Sequence, residues 1–451
     1  MAQITNIKKF AIKHDVRYLT VFIVDINGVL RGKRLPVDQL DRVINDGTRM
    51  PFSAANVDIW GRDIADSPLV FKSGDKDGKC IWTSRAPILM NGNESKNLYI
   101  PMSYANEDGS PYMGDSRNVL INVLQNYAAE NLTPVLGLEL EFYLTNPAAP
   151  DPAIANPLNG AQKVHDGVLS VDDISDYSKF LDEICECCEA NAIALEAISS
   201  ESGMSQFEIN LKHTEDVLKL ADGLVFLKNI IRLISRKNGF AATFMAKPFA
   251  FRPGNGIHAH FSLLNENKRN VFDNGTETGS DNMLSSVGGL LAHMRQSALI
   301  FAPHLNSFRR LSPKQHAPLN FTWGYENRTA AIRIPGGKYS SRRIEHRVAG
   351  ADTNIYLVLA AILGAALDGL LHGTRPPQPA LGDCSYSDIG QEDALPATWF
   401  EAISSFEQGN LIGGALNSVI RDMLIRTKRQ ELLTFAHDVS SFEYETYLET
   451  V

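Results

Sequence analysis

The chain has little of what marks a secreted, nucleic-acid-binding or membrane-spanning protein. Only five of its 451 residues are cysteine, and their number and spacing fit neither a disulfide framework nor paired metal-binding motifs, so we expect reduced thiols. The 43 basic residues are outnumbered by 52 acidic ones, for a net charge of −9, and they form no basic run, which argues against nucleic acid as a partner. The longest uncharged apolar run, residues 355–367, is too short for a bilayer and predicts a buried core helix.

What is present is typical of a globular protein, with 44% hydrophobic and 21% charged residues. The first ten residues contain no apolar signal core, so we expect a cytoplasmic protein. Short β-branched segments dominate up to about residue 112, including a predicted hairpin over residues 18–36. Helical periodicity begins thereafter, and it predicts amphipathic helices over residues 173–191 and 216–237. We therefore predict an α+β protein with a strand-rich domain over residues 1–112 and a larger domain over residues 113–451.

Two of the predicted strands in the larger domain carry acids on one face. Between residues 135 and 144, leucine and phenylalanine alternate with polar positions, so Glu139 and Glu141 share the face opposite the apolar one. Farther on, Glu208 lies on the polar face of a second strand, and Glu201 lies across a glycine-containing turn. Two like charges about 7 Å apart on a half-buried strand are costly unless something positive lies beside them. A solvent-facing strand with acids of no function is the alternative.

Two further predicted strands present imidazoles and guanidinium groups. After a glycine-rich loop, one strand carries three polar residues on one face: His258, His260 and Ser262. The last strand alternates cations with an acid on one face: Arg343, Glu345 and Arg347. Carboxylate oxygens with a single imidazole favour Mg²⁺ or Mn²⁺ over zinc, and arginines beside such ions suit phosphoryl transfer. Because the sequence has no glycine-rich Walker loop, a nucleotide would have to bind on the sheet itself.

Taken in order, these segments resemble the motifs of the class I glutamine synthetase superfamily, over essentially the whole chain. The matching segments are residues 137–142, 201–208, 247–263, 327–335 and 343–347, and residues 351–357 resemble the family's Asn-Pro-Tyr-Leu signature with isoleucine in place of proline. The resemblance implies a β-grasp N-terminal domain and a catalytic domain whose antiparallel strands form a two-metal funnel. It also implies a homo-oligomer, and we expect a dodecamer of two stacked rings. In this family ATP phosphorylates the γ-carboxylate of glutamate, and an amine then displaces phosphate.

The resemblance also assigns roles to individual residues. One metal ion would be held by Glu141, Glu201 and Glu208. The other would be held by Glu139, His258 and Glu345. Nucleotide-binding positions match His260, Ser262 and Arg343. The residues that steady the transferred phosphoryl group match Arg328 and Arg333. The pocket for glutamate matches Arg310, Arg347 and the backbone of Gly254.

Two departures from the ammonia-using members of the family concern the amine. Those members carry an acid in a Phe-Asp-Gly-Ser-Ser stretch of the N-terminal domain, whereas residues 50–54 here contain none. They also carry a glutamate on a mobile flap, where His316 stands here. Without these two carboxylates only Glu201 remains as a negative contact, while Phe52 and Trp60 offer apolar surface. The pattern is similar to that of γ-glutamylpolyamine synthetase and related glutamate–amine ligases.

We therefore predict an ATP-dependent ligase that joins glutamate to an organic primary amine and uses Mg²⁺ or Mn²⁺ at two sites. A glutamine synthetase that uses ammonia is one alternative, and a non-catalytic structural homologue is another, against which the retained ligand positions argue. His316 is a candidate base for the proton of the amine. The alternative, that water or another group takes this proton, stays open, and the sequence does not name the amine.

Overall fold

Two β-sheets from separate stretches of the chain organise the fold of this computed structural model, which describes residues 2–90, 96–149, 153–163, 165–311, 317–384, 394–410 and 412–451. The strands of the first sheet are β1 Tyr18–Val24, β2 Leu30–Pro36, β3 Thr48–Pro51, β4 Asp77–Trp82 and β5 Asn97–Ala105. Those of the second sheet are β6 Thr133–Thr145, β7 Leu195–Ser200, β8 Gln206–Thr214, β9 Ala241–Thr243, β10 Ile257–Leu264, β11 Trp323–Tyr325, β12 Ile332–Ile334 and β13 Ile344–His346.

Helices surround and connect these sheets, so the predicted mixture of helix and strand is confirmed. They are α1 Ala2–Lys13, α2 Leu40–Asn45, α3 Ser116–Ala129, α4 Val171–Asp176, α5 Ser178–Ala190, α6 Val217–Lys237, α7 Asp281–Ala292, α8 Met294–Phe301, α9 Ser307–Arg310, α10 Ile355–His372, α11 Trp399–Gln408, α12 Ser418–Ala436 and α13 Ser441–Tyr447. The first sheet ends at Ala105 and α3 begins at Ser116. The domain boundary near residue 112 stays a prediction.

The predicted N-terminal hairpin is confirmed: β1 and β2 are antiparallel, and β1 also pairs in parallel with β5. Its turn is organised by the buried carboxylate of Asp25, which accepts hydrogen bonds from the backbone N–H groups of Asn27 and Val29, both at 2.9 Å. The guanidinium of Arg31 contacts the other oxygen of Asp25 at 2.8 Å. Asp25 is therefore a structural part of the hairpin turn itself.

The second sheet carries the residues of interest, with the strand order β11-β12-β13-β10-β6-β8-β7 and β9 paired with the end of β6. Its pairings are antiparallel apart from β11 with β12. Along β6 the residues Leu136, Leu138, Leu140 and Phe142 are fully or almost fully buried. Helices α3 and α6 contact β6, and we infer that they cover this apolar face. The opposite face carries the predicted ligands.

Helix α10 is the predicted core helix, and it extends five residues beyond the apolar run, to His372. Among the described residues it alone is long and apolar enough to cross a membrane by length and composition, but it is mostly buried in the protein core. Helix α7 packs closely against α10. A side chain on Gly289 would lie only 2.2 Å from the carbonyl oxygen of Ala365. Such a contact between helix backbones requires glycine.

One helix expected from periodicity, residues 173–191, is two helices in the structure, α4 and α5. They meet at Tyr177, whose ring is buried against Phe207 and Phe240. Its hydroxyl donates to the carbonyl oxygen of Ala155 at 2.6 Å. These contacts hold Tyr177 at φ −102°, ψ 11°, outside regular helical geometry. The helix predicted over residues 216–237 is confirmed as α6, with Asp216 as its N-cap.

A buried polar cluster joins α12 to the N-terminal sheet. Lys428 and Glu431, both fully buried, form an ion pair at 2.8 Å. Lys428 also donates to the side-chain oxygen of Asn27 at 2.5 Å, and Glu431 accepts from the backbone N–H of Ile59 at 2.8 Å. Burial acts to raise the pKa of Glu431, but Lys428 and His304 hold it at about 2. Since each charge has a partner, the cluster fixes residues 27 and 59 against α12.

Candidate metal and nucleotide site

Strand register brings the predicted metal ligands together from four distant segments. Glu139 on β6 lies between His258 on β10 and Asn210 on β8. Two further pairs of facing residues are Glu141 with Glu208 and Glu345 with His260. Side chains on one face of adjacent strands are within contact distance of each other, so a single acidic and imidazole-lined surface forms across β8, β6, β10 and β13.

Potential ligand atoms lie within 4.8 Å of one another in three groups. The first group is the predicted set Glu141, Glu201 and Glu208. The second predicted set is distributed over the other two groups, which are Glu139 with Glu208 and His258, and Glu139 with His260 and Glu345. The Nδ1 atom of His258 is 4.0 Å from a carboxylate oxygen of Glu345. His260, expected at the nucleotide, is as near to Glu139 as His258 is, at 3.0 Å and 2.9 Å.

Crowding of the carboxylates raises two pKa values in this site. Burial is the largest cause for both residues. Glu208 has a pKa of about 9, with additional repulsion from Glu139 and Glu141. Glu201 has a pKa of about 7, with additional repulsion from Glu141. Carboxylates in this state gain most from a nearby cation, which removes the repulsion and stabilises the ionised form.

Two other carboxylates already have positive or imidazole partners. Burial acts to raise the pKa of Glu139, but its hydrogen bonds with His258 and His260 hold that pKa well below the usual value. Burial opposes ionisation of Glu345 as well, and the charge of Arg347 is the largest of the effects that lower its pKa to about 2. Arg333 also contacts Glu345, at 2.9 Å. The site therefore has a crowded acidic end and a neutralised end.

Beside the neutralised end lies a cavity of about 750 Å³. Its polar lining includes Glu139, Asn210, His213, His260, Ser262, Asn270, Ser341 and Arg343. Arg343 donates from Nε to Nδ1 of His260 at 3.3 Å. The predicted nucleotide residues His260, Ser262 and Arg343 thus share one cavity. Sequence reasoning missed Asn270 and His213, which belong to no motif and reach the cavity only through strand pairing and loop packing.

Of the residues expected to bind glutamate, Arg347 contacts Glu345, and Gly254 and Arg310 lie close to each other. Gly254 lies close to Ala246 and Arg310. A side chain at position 254 would lie 2.3 Å from the carbonyl oxygen of Ala246 and 2.8 Å from Cγ of Arg310. Arg310 is buried and donates to the carbonyl oxygen of Val348 at 2.8 Å. Among the described residues, the buried Nε atoms of Arg333 and Arg347 have no hydrogen-bond partner. Such donors are costly in a buried site unless a ligand accepts from them.

Two segments are expected to contact the amine, and the structure describes only the N-terminal one. His316 and the preceding flap residues 312–315 lie outside the described residues. Arg328 is exposed, and its charge acts to lower the pKa of Glu201. In the N-terminal stretch, Phe52 packs against Tyr104 and Tyr112, with ring centroids 5.1 and 4.4 Å apart. Part of the apolar surface expected from Phe52 is therefore used within the chain.

The nearest acid after that stretch, Asp58, does not replace the missing carboxylate. It is fully buried, and it accepts from the backbone N–H of Trp60 at 3.1 Å and from the guanidinium of Arg62 at 2.7 Å. Trp60 stacks on Phe435 with ring centroids 5.3 Å apart and remains 46% exposed. Residues 50–54 therefore contain no acid, and Asp58, the next acid along the chain, is already paired.

The donor set fits divalent ions that prefer oxygen. Five carboxylates and two imidazoles make up the three groups, and no cysteine takes part in any of them. Mg²⁺ and Mn²⁺ prefer such ligands, whereas structural zinc sites use thiolates or several imidazoles. The raised pKa values of Glu201 and Glu208 agree with this, because burial and the neighbouring carboxylates disfavour their ionised forms when no cation is present.

Comparisons with known proteins by sequence and by structure agree on one family. The family model for the catalytic domain of glutamine synthetase matches residues 113–447. The gamma-glutamylputrescine synthetase of Escherichia coli is 32% identical over 96% of this chain and 92% of its own length. A glutamate–isopropylamine ligase from a Pseudomonas species is 30% identical over 100% of this chain and 98% of its own. A solved structure titled GmaS/ADP complex has a TM-score of 0.85 and 26% identity, covering 98% of this chain and 99% of that one.

Metal binding should release protons, because Glu208 is mostly protonated below its pKa of about 9 when no cation is present. We expect Mg²⁺ or Mn²⁺ affinity to increase from pH 6 to pH 9, by up to about tenfold per pH unit for each proton released. Isothermal titration calorimetry in buffers of different ionisation enthalpy measures the proton count. Glu208→Gln should weaken binding and reduce proton release, whereas the exposed control Glu266→Gln should match wild type. Affinity independent of pH would contradict the assignment.

Proposed function

The chain belongs to the glutamine synthetase family, and from this membership we propose that it is an ATP-dependent ligase that joins the γ-carboxylate of glutamate to an organic primary amine. The two named relatives are ligases of this kind, for putrescine and for isopropylamine. Identity of about one third does not by itself separate amine users from ammonia users in such a family. The observation that carries the proposal is therefore the absence of a carboxylate from residues 50–54, with Asp58 already paired.

We assign the metal ligands as the sequence predicts. One ion would be held by Glu141, Glu201 and Glu208, a set that the proximity of their carboxylate oxygens supports. The second lies with Glu139, His258 and Glu345. Divalent ions, Mg²⁺ or Mn²⁺, neutralise the phosphates of ATP at such a site. His260, Ser262 and Arg343 bind the nucleotide, and their common lining of the 750 Å³ cavity supports this role.

The remaining side chains orient the reacting groups. Arg310, Arg347 and the backbone of Gly254 bind glutamate, so that an oxygen of its γ-carboxylate faces the γ-phosphorus of ATP. Arg328 and Arg333 neutralise the phosphoryl group as it is transferred and ADP leaves. The nitrogen of the amine then attacks the carbonyl carbon of the acyl phosphate, the C–O bond to phosphate breaks, and the amine loses a proton. Glu201 contacts the amine, and His316 is the proposed base.

The energetics favour an organic amine. Ammonium is a small hydrated cation whose binding depends on charge, and two carboxylates that would attract it are absent. An organic amine also buries its carbon chain, which contributes about 0.8 kcal/mol per CH₂ group. Trp60 offers a partly exposed ring on the N-terminal domain for that purpose. A few methylene groups would offset much of the lost electrostatic attraction.

The finer features of the family extend the proposal. The five-stranded N-terminal sheet, with β5 central and parallel to β1, supports assignment of residues 1–112 as a β-grasp domain, followed by a catalytic domain over residues 113–451. The substrates are small molecules, namely ATP, glutamate and the amine, and we place the enzyme in the cytoplasm. We further propose a homo-oligomer, a dodecamer of two stacked rings, in which neighbouring subunits share each active site.

The amine specificity is tested by phosphate release with ATP and glutamate across ammonia, methylamine, ethanolamine, putrescine, longer diamines and an arylalkylamine. We expect the highest kcat/KM for one of the organic amines, compared at matched concentrations of free base. Trp60→Ala should raise KM for the best amine more than for methylamine, because it removes apolar contact. Ser53→Ala, at a buried position within residues 50–54 and without an aromatic ring, is the control.

If ammonia has the highest kcat/KM, the protein is a glutamine synthetase with an unusual flap. If ATP is not hydrolysed with glutamate and any amine in the presence of Mg²⁺ or Mn²⁺, the chain is a non-catalytic homologue. Either result would contradict the proposed function.

The oligomer is tested by light scattering of the active protein. The chain mass is 49.7 kDa, so a dodecamer should be about twelve times heavier. A fully active species with the mass of a single chain would contradict the shared active site.

A further inference from the structure

A second cavity, of about 340 Å³, lies where the β1–β2 turn of the N-terminal sheet meets α6 and β9. It shares no lining residue with the cavity beside Glu139 and Arg343, and none of the predicted metal, nucleotide or glutamate residues lines it. Its volume lies in the range of small-molecule binding sites. The cavity is therefore separate from the candidate active site.

Two cations reach this cavity from one face of α6. Lys228 and Arg232 are four residues apart, and both lie over the ring of Phe244, at 5.3 and 4.9 Å from its centroid. The ammonium of Lys228 donates to the carbonyl oxygen of Ala351 at 2.7 Å. Among the described residues, Arg232 forms no hydrogen bond or ion pair beyond its contact with Phe244. Two neighbouring cations in a partly desolvated site lack a counter-charge.

The acid on the cavity wall does not neutralise them. Asp352 accepts from the hydroxyl of Ser307 at 2.6 Å through Oδ2, and it forms no ion pair with either cation among the described residues. Burial, with a smaller contribution from the charge of Arg232, lowers the pKa of Lys228 to about 7, against the weaker effect of Asp352. An anion bound between the two cations would reverse this penalty.

The remaining walls are polar in part, through residues such as Asn27, Asn229, Thr243 and His304, and aliphatic in part, through Val24, Val29, Ile59, Val225 and Ile355. A bare inorganic anion would contact the cations but leave these side chains against water, whereas a hydrocarbon body would bury them. An amine would place a third positive charge beside Lys228 and Arg232. The two cations and the aliphatic part of the wall together favour a ligand with one anionic end and one apolar end.

We propose that this cavity binds a small organic carboxylate with a short hydrocarbon body, its carboxylate between Lys228 and Arg232 and its chain against the valine and isoleucine side chains. The site is an effector site rather than a substrate site, because it lies outside the residues that bind ATP, metal and glutamate. This regulatory role rests on the proposed function, whereas carboxylate binding itself does not.

Its walls are directly connected to the glutamate pocket. Asn306, which lines the cavity, brackets Lys247: its side chain accepts from the backbone N–H and donates to the carbonyl oxygen of that residue, both at 2.9 Å. Lys247 begins the loop that leads to Gly254. One residue beyond Asn306, helix α9 begins, and it ends at Arg310. A ligand that shifts Asn306 would therefore change the position of two groups assigned to glutamate.

The test is a calorimetric titration with hexanoate as the probe, alongside inorganic phosphate and hexylamine. We expect saturable binding of hexanoate, weaker binding of phosphate and none of hexylamine at this site. Lys228→Met and Arg232→Met, which remove charge and preserve side-chain length, should each weaken hexanoate binding by on the order of tenfold. Lys219→Met, an exposed position on the same helix, should leave it unchanged.

A carboxylate can also enter the glutamate pocket, so Arg310→Met serves as a second control, and it should retain hexanoate binding. The proposal is overturned if wild type does not bind hexanoate saturably, if both α6 variants bind it as wild type does, or if Arg310→Met abolishes binding. Phosphate bound as tightly as hexanoate would also overturn it, because the apolar walls would then contribute nothing. The effector role is read separately, as a change in KM for glutamate at saturating hexanoate.

Discussion

Repulsion among buried carboxylates is the constraint on which this structure depends. Glu139, Glu141, Glu201 and Glu208 converge on one face of a sheet, and burial together with their mutual repulsion raises the pKa values of Glu201 and Glu208 above the usual glutamate value. A protein gains no stability from such an arrangement. The arrangement costs folding free energy, which burial of the apolar opposite face and the surrounding core offsets. It becomes favourable once divalent ions occupy the acidic end.

The other features of the site follow from this requirement. Carboxylates can be held against their own repulsion only on rigid elements, and antiparallel strands with defined register provide these. Arg333 and Arg347 neutralise Glu345, so the acidic end is bordered by a region that favours phosphate. The ion pair of Lys428 and Glu431 fixes the N-terminal segment that follows the acid-free stretch. Under the proposed function, charge would therefore set both where ATP binds and where a hydrocarbon-bearing amine is preferred over ammonium.

Local patterns in the sequence predicted the parts of this architecture that depend on one strand or helix at a time. The shared face of Glu139 and Glu141 follows from the period of two in residues 135–144, and the buried helix follows from its apolar run. Side-chain packing between distant segments was not accessible in this way. The break at Tyr177 results from contacts with Phe207 and Phe240, and the proximity of His260 to Glu139 results from pairing between β6 and β10. Lys228 and Arg232 lie on a helix that the sequence predicts, but the cavity around them is formed by β9 and the N-terminal turn.

The central claim is that these carboxylates and arginines promote transfer of a phosphoryl group to the γ-carboxylate of glutamate before the amine reacts. Glutamate labelled with ¹⁸O in both γ-carboxylate oxygens tests it, by mass spectrometry of the phosphate and the amide formed in one reaction with ATP, Mg²⁺ and the preferred amine. One ¹⁸O atom should appear in each phosphate released, and the other should remain in the amide, because the C–O bond of the acyl phosphate is the one that breaks. Amide formation with unlabelled phosphate would contradict the claim.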